Sequence, residues 1–146
     1  MKRISSQTGA TLIEVLIAIT ILAIALLGFA QLQSRALSLN QEAIRQVQAA
    51  LLADELFDRM RANRDYALSS NRYEFGPSTP VPVAPECETQ VCSAAEIAQR
   101  DLGIWLQRFK EVLPAASATL ERSGESVRLL IQWPGSETVS VFFAQL

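Results

Sequence analysis

The feature that most constrains this chain is a long apolar run near its N-terminus. Residues 10–30 are almost all apolar, and Glu14 is the one charged residue among them. A helix of this length, at about 1.5 Å per residue, spans the roughly 30 Å hydrocarbon core of a bilayer. Lys2 and Arg3 precede the run. Because positive flanks stay cytoplasmic, the remainder of the chain is predicted to lie on the other side of the membrane.

The position of Glu14 raises the question of its partner. A carboxylate inside a bilayer costs roughly 2.5 to 3.5 kcal/mol on insertion scales, so it is expected to be paired and functional. No cation of the chain lies within a helical turn or two of it. Cleavage after Gly9, however, would give Ala10 a new α-amino group. That amine could pair with Glu14 of a neighbouring subunit in a helical bundle, which would make Glu14 a docking residue.

Two other interpretations of the run stay open at this point. An ordinary secretory signal would place its cleavage site after Ala30, where Gly28 and Ala30 supply small residues, and would release a soluble periplasmic binding protein. An uncleaved anchor would keep the whole segment. Neither interpretation gives Glu14 a function.

The stretch "TGATLIEVLIAITILAIALLGFAQLQ" resembles the class III leader and first helix of type IV pilins and pseudopilins. The resemblance implies that residues 1–9 are a leader removed by the prepilin peptidase after Gly9. Ala10 then becomes the mature N-terminus and the site of methylation, and Glu14 becomes the fifth mature residue, which docks subunits. The family usually has Phe at the position of Ala10. The resemblance also implies an inner-membrane protein that later enters a pilus filament.

Apolar spacing predicts that the helix continues beyond the membrane as an amphipathic spine. No Pro occurs before Pro77, and the period of 3.6 residues persists to about Asn63. We therefore expect one helix over residues 10–63, with residues 10–30 transmembrane, and a periplasmic head over residues 64–146. Two apolar stripes are predicted to lie against this head: Leu32, Ala36, Leu39, Ala43, Val47, Ala50 and Phe57, and beside them Leu37, Ile44 and Leu51.

The segment before the second helix is predicted to be a loop fastened by a disulfide. Residues 74–86 hold four of the six prolines and cannot form a helix or a central strand. Cys87 and Cys92 follow, and no His or further Cys is present to complete a metal site. In an oxidising compartment the expected product is a small disulfide loop.

The remaining sequence predicts one helix and three antiparallel strands. Ser93 and Glu96 have the spacing of a capping box, and Pro114 ends the helix. Ala98, Leu102, Trp105, Phe109 and Val112 form its apolar face, where Asp101 is expected to form a salt bridge or a cap. The alternating strands "SATLER", "VRLLIQW" and "TVSVFFAQL" place Val127, Leu129, Ile131 and Trp133 on one face, and Val139, Val141 and Phe143 on one face. The fold class is α+β, a helical spine packed on a small roll.

Composition argues against several functions. The chain has no His, no nucleophile motif and no phosphate loop, so we expect no enzyme activity, no cofactor and no metal. Arg59, Arg61 and Arg64 alternate with acidic residues and predict a solvated face, so no nucleic-acid partner is expected. A minor pseudopilin of a type II secretion system and a DNA-binding minor pilin for uptake remain the alternatives to a pilus subunit.

The head carries a narrower resemblance to the PilV family of type IV pilus modification proteins, which are minor pilins. It rests on "DELFDRMRANR", on the two Cys followed by "AAEIAQRDLGIWLQRFKEVLP", and on the "V-x-L-x-I-x-W" strand. This resemblance implies a subunit that primes pilus assembly at or near the tip. The partners it implies are the prepilin peptidase, other minor pilins, the major pilin and a large tip adhesin.

Overall fold

The computed structural model describes residues 11–135 and 139–146, and within them three helices precede three strands. The chain divides into two compact units between Glu42 and Ala43. The predicted α+β fold, with a long first helix and a head of one further helix and three antiparallel strands, is confirmed. The elements are α1 (Leu12–Ala62), α2 (Arg64–Ser69), α3 (Ala94–Val112), β1 (Ser117–Ser123), β2 (Ser126–Gln132) and β3 (Val139–Gln145).

In the first unit, the described residues form the N-terminal part of α1. Its large apolar side chains are exposed on every side of the helix. Leu12, near its start, is 82% exposed, and Phe29 is 58% exposed. The segment has no Pro to break the helix, and the hydroxyl of Thr20 donates to the carbonyl of Leu16 at 2.7 Å, so this polar group is satisfied within the helix. α1 is long and apolar enough to cross a membrane, with a mean hydropathy of 2.7 in its most apolar window.

In the second unit, α1 packs on the head through a different face from the one predicted. Its buried residues recur at spacings of three and four, as one helical stripe requires. Of the predicted stripes only Phe57 is buried, while Ile44, Val47 and Leu51 are exposed. Because Ala is frequent in this helix, apolar spacing alone did not distinguish the two sides. The residues of α1 that contact the core are Ala49, Leu52, Ala53, Leu56, Phe57 and Met60.

The one helix predicted for the head, α3, begins and packs as expected. The Ser93 hydroxyl accepts from the backbone N–H of Glu96, and the Glu96 carboxylate accepts from the backbone N–H of Ser93, which completes the capping box. Ala98, Leu102, Trp105 and Phe109 are buried, as predicted, and Val112 is partly buried. The Trp105 indole N–H donates to the carbonyl of Leu52 at 2.7 Å, so its polar atom is satisfied inside the core.

The sheet is a meander in the order β1-β2-β3, with both pairs antiparallel. Gly124, at φ 63°, occupies the two-residue turn between β1 and β2, where a left-handed backbone is needed. The core face carries Val127, Leu129 and Ile131 from β2, as predicted. Trp133 lies just beyond the end of β2 and packs only partly against the core.

On β3, the predicted apolar face is not the one that meets the core. Leu129 pairs with Phe142, so Phe142 and Ala144 lie on the core side and pack against it. Val141 and Phe143 lie on the outer side, 40% and 71% exposed. Two adjacent phenylalanines give both faces of this strand an apolar pattern, and a slip of one residue exchanges the faces.

The Pro-rich loop packs against α3. A Cβ at Gly103 would lie 2.6 Å from the carbonyl oxygen of Pro82, so this glycine allows the loop backbone to approach the helix closely. The Gln99 side-chain amide donates to the carbonyl of Val83 at 2.8 Å. At the start of the loop, Phe75 forms an isolated antiparallel bridge with Leu120 of β1. The short helix α2, between α1 and this loop, was not predicted.

Candidate assembly surfaces

Glu14 lies in the first turn of α1, among exposed apolar side chains. Its backbone N–H donates to the carbonyl of Thr11 at 3.0 Å, and its side chain has no hydrogen bond or ion pair with any residue that the structure describes. Gly9 and Ala10, the predicted processing residues, lie outside the described residues. Residues 12–30 therefore form an exposed apolar helix in which the one carboxylate, Glu14, has no partner among the residues that the structure describes.

A second uncovered surface lies on α1 in the second unit, on the side away from the core. Ile44, Val47 and Leu51 are 51%, 60% and 65% exposed. At about 100° per residue they lie on the helix face opposite Ala49, Ala53 and Leu56, which are buried. An apolar face of this kind on a helix that already has a packed face is available to another helix.

The predicted disulfide between Cys87 and Cys92 is present, with 5.4 Å between their Cα atoms. It precedes the capping residue Ser93, so it fastens the end of the Pro-rich loop to the start of α3. The four residues within the disulfide loop are exposed, and Val91 is fully exposed. Glu88 in this loop accepts a hydrogen bond from Arg100 of α3 at 2.7 Å, which draws the loop against the helix.

Asp101, whose function the sequence left open, is the centre of a polar network inside the head. It is 7% exposed. Arg59 donates to its Oδ1 at 3.1 Å, and the Tyr73 hydroxyl donates to its Oδ2 at 2.7 Å. The Asn63 amide donates to the Tyr73 oxygen at 3.2 Å and to the carbonyl of Ala94 at 2.8 Å. The network joins the end of α1 to α3, and burial raises the pKa of Tyr73.

The arginines at the end of α1 and the start of α2 are each paired with a carboxylate. Arg61 pairs with Asp58, and Arg64 pairs with Glu125 of the β1–β2 turn. The exposed pairs at Arg61 and Arg64 are consistent with the predicted solvated face. Arg59 differs, because it contacts the buried carboxylate of Asp101 and so contributes to packing.

Comparison with known families decides what kind of protein has this arrangement. The family model described as type IV pilin Tt1218 matches residues 31–103, which are 73 of the 146 residues, or half of the chain. The chain belongs to the Tt1218-like family of type IV pilins. A second model, the prokaryotic N-terminal methylation motif, matches residues 4–30 of this pilin.

The two matches cover different parts of the molecule and agree with the predicted family. The methylation motif includes Gly9, Ala10 and Glu14, and it implies processing by a prepilin peptidase. The pilin match covers the remainder of α1, the Pro-rich loop, the disulfide and half of α3. Pilin membership implies association with other pilins and a structural, non-enzymatic protein. No curated protein and no solved structure matches this pilin.

One uncovered surface was not predicted from the sequence. The outer side of β3, with Val139, Val141 and Phe143, is exposed although these residues were expected to share a covered face. The sequence of β3 held one indication that its outer side is apolar, because the strand contains no charged residue. Its adjacent phenylalanines, however, left open which side faces the core.

Proposed function

We propose that this pilin is a minor subunit that primes type IV pilus assembly, at or near the pilus tip. In this proposal the prepilin peptidase cleaves after Gly9, the new amino group of Ala10 is methylated, and the chain spans the inner membrane once. The N-terminus lies in the cytoplasm and the head in the periplasm until the subunit leaves the membrane for the filament.

The observation that carries this proposal is the exposed N-terminal part of α1, in which Glu14 has no partner among the described residues 11–135 and 139–146. An apolar helix exposed on all sides needs either lipid or other helices around it, and the carboxylate needs a cation in either setting. The amine created at Ala10 of a neighbouring subunit would supply that cation. Glu14 thereby sets the axial position at which one subunit meets the next.

The exposed stripe of Ile44, Val47 and Leu51 supports the same proposal further along the helix. It lies on the side of α1 that the head does not cover, so it is available to helices of adjacent subunits once the membrane part has docked. Association with other pilins through α1 would bury this stripe. The resemblance to PilV supports the minor role, and with it the expected contacts with the other minor pilins, the major pilin and a large tip adhesin.

The N-terminus of the protein in its native membranes tests the first step. Intact mass and N-terminal sequencing should find a chain that begins at Ala10, with the mass of one added methyl group. Replacement of Gly9 by a bulky residue should leave a precursor that begins at Met1 or Lys2. A start at Gln31 would instead identify a secreted soluble protein, and a start at Met1 in the unsubstituted chain would identify an uncleaved anchor.

Substitution of Glu14 tests docking. Glu14→Val should leave membrane insertion intact but prevent co-purification with other pilins, because the cation at the neighbour's N-terminus loses its partner. Glu14→Gln, which keeps the size and removes the charge, should behave in the same way. Thr20→Val serves as the control, since its hydroxyl bonds only within the helix. Normal surface pili together with normal co-purification of Glu14→Val would contradict the docking role.

Deletion of the gene tests priming and separates the pilus from the related secretion system. The number of surface pili should fall sharply, while the major pilin remains in the inner membrane. Loss of protein secretion with unchanged piliation would identify a minor pseudopilin instead. Binding of DNA to the head in a low-salt gel shift would favour an uptake pilin.

A further inference from the structure

The two edges of the sheet, formed by β1 and β3, differ in their backbone hydrogen bonding. At the β1 edge, Phe75 and Leu120 exchange two backbone hydrogen bonds of 3.3 Å and 2.9 Å. β1 also carries the charged residues Glu121 and Arg122. At the opposite edge, no strand in the described part of the chain pairs with the free edge of β3, the one away from β2. Among the described residues, the β1 edge is therefore interrupted at Leu120 by a paired residue, whereas the backbone N–H and C=O groups along the outer edge of β3 have no partner strand.

The sequence of β3 lacks every feature that normally protects such an edge. Its seven residues, VSVFFAQ, include no charged residue, no Pro and no Gly. Its pairing with β2 is continuous from Ser126↔Gln145 to Gln132↔Val139, so it has no bulge. Open edges in natural proteins usually carry charges, prolines or bulges, because unpaired edges otherwise recruit other chains. An edge without these features is expected to have a partner.

The side chains around this edge define which strand it can accept. Val141 and Phe143 are exposed on the outer side, and Leu130 of β2 lies opposite Val141. Arg128 of β2 lies opposite Phe143 and pairs with Glu121 of β1, so these two charges neutralise each other beside Phe143. A charged side chain brought next to Phe143 would lose hydration without gaining a counter-ion. The complementary strand is therefore uncharged, with apolar residues at alternate positions.

We propose that the free edge of β3 accepts an extended, uncharged strand from another pilin subunit by β-strand addition. Backbone hydrogen bonds along the edge supply the binding energy, and the side chains beside Val141 and Phe143 supply the selectivity. The inference rests on the proposed function in taking another pilin as the donor of the strand. It assigns the head an assembly contact that is separate from those of α1.

Site-specific photo-crosslinking of the full-length chain in its native membranes tests whether another pilin adds a strand at the edge of β3. A benzoylphenylalanine probe replaces Val141 in one variant and Phe143 in another. Both probes should label the same peptide of one other pilin, and the labelled residue should move by two positions when the probe moves by two, as paired strands require. A displacement of three or four residues would indicate a helix in place of a strand. That result, labelling of a second copy, labelling of a protein that is not a pilin, or no labelling would each overturn the proposal.

A pair of lysine substitutions tests the same edge without relying on one probe. Val141→Lys should lower the labelling yield from position 143 about tenfold, because the partner strand would bury an unpaired ammonium group. Ser123→Lys, at an exposed position on β1, should leave the yield unchanged. Both variants should retain the Cys87–Cys92 disulfide and the unfolding temperature of the head. Equal yields from the two variants would contradict strand addition.

The two proposals fail in different ways. If the wild-type chain does not co-purify with other pilins, the proposed pilus function is wrong, whatever the edge binds. If it co-purifies, and Glu14→Val abolishes this while the probes on β3 label nothing, the pilus function stands and strand addition is wrong.

Discussion

The hydroxyl of Tyr73 donates a 2.7 Å hydrogen bond to Oδ2 of Asp101, while Arg59 of α1 holds the other oxygen at 3.1 Å. A buried carboxylate is costly unless its oxygens are satisfied, and here both oxygens have donors. The three residues come from α1, from the segment that follows α2 and from α3. The relationship therefore fixes how the end of the long helix meets the head.

Removal of the Tyr73 hydroxyl should weaken the head without altering its shape. Tyr73→Phe keeps the buried ring and leaves one oxygen of Asp101 without its donor, so we expect a loss of about 1–2 kcal/mol in the free energy of unfolding at neutral pH. Denaturant unfolding of the detergent-solubilised chain, followed by tryptophan fluorescence, measures this, because Trp105 is buried in the head. Tyr66→Phe, at a partly buried tyrosine, is the matched control and should change stability less.

The same tyrosine predicts a dependence of stability on alkaline pH. Burial raises the pKa of Tyr73 in the folded state above its ordinary value of 10.0. Above pH 10.0 the unfolded chain therefore releases this proton while the folded chain retains it, and the free energy of unfolding falls as the pH rises. The difference in stability between the wild type and Tyr73→Phe should shrink between pH 9 and pH 11, roughly one unit on either side of that value. An unchanged difference over this range would show that Tyr73 is not shielded.

Close packing of the Pro-rich loop depends on Gly103. In Gly103→Ala the new methyl group would lie 2.6 Å from the carbonyl oxygen of Pro82, which belongs to the backbone and must shift. We expect a loss of about 1–3 kcal/mol, the usual range for overpacking. Gly76→Ala is the control within the same loop, since nothing lies within 4 Å of its new methyl group. Equal stabilities of the two variants would show that the loop is not held against α3.

Loss of the disulfide should have a modest effect. Its Cys residues are separated by five positions, and such a short loop is expected to contribute about 2 kcal/mol through restriction of the unfolded chain. The double variant Cys87→Ser, Cys92→Ser should lose this amount, and reductant should destabilise the wild type by the same amount while leaving the variant unchanged. Reductant that destabilised both proteins equally would point to an effect unrelated to this bond.

Local patterns in the sequence predicted most of the fold. An apolar segment without Pro, a capping box and three alternating runs separated by turns are each local patterns, so α1, α3 and the order of strands followed from them. The buried face of α1 did not follow, because Ala49 and Ala53 of the true face and Ala43 and Ala50 of the predicted one give similar periodicity. Which face of a helix is buried depends on the shape of the surface that it meets.

The candidate assembly surfaces also include features that the sequence predicted and features that it did not. The disulfide could be predicted because the chain has only two Cys, close together. The docking role of Glu14 stays a prediction. The outer side of β3 could not be predicted, because its orientation depends on pairing with β2, where a slip of one residue exchanges Phe142 and Phe143. The network around Asp101 joins residues separated by 28 and 42 positions, which no local pattern reveals.

The bridge between Phe75 and Leu120 makes the two edges of the sheet unequal, so that an added strand is expected at β3 and not at β1. In the described part of the chain, the β1 edge is occupied at its centre and carries charges beside the bridge, so a strand joins more readily at β3 than on the opposite side. Fibrous aggregates need two open edges on every molecule, so that each unit both receives and offers a template. The head therefore has one open edge and one interrupted edge, an asymmetry that disfavours continuous β-pairing between copies of this chain.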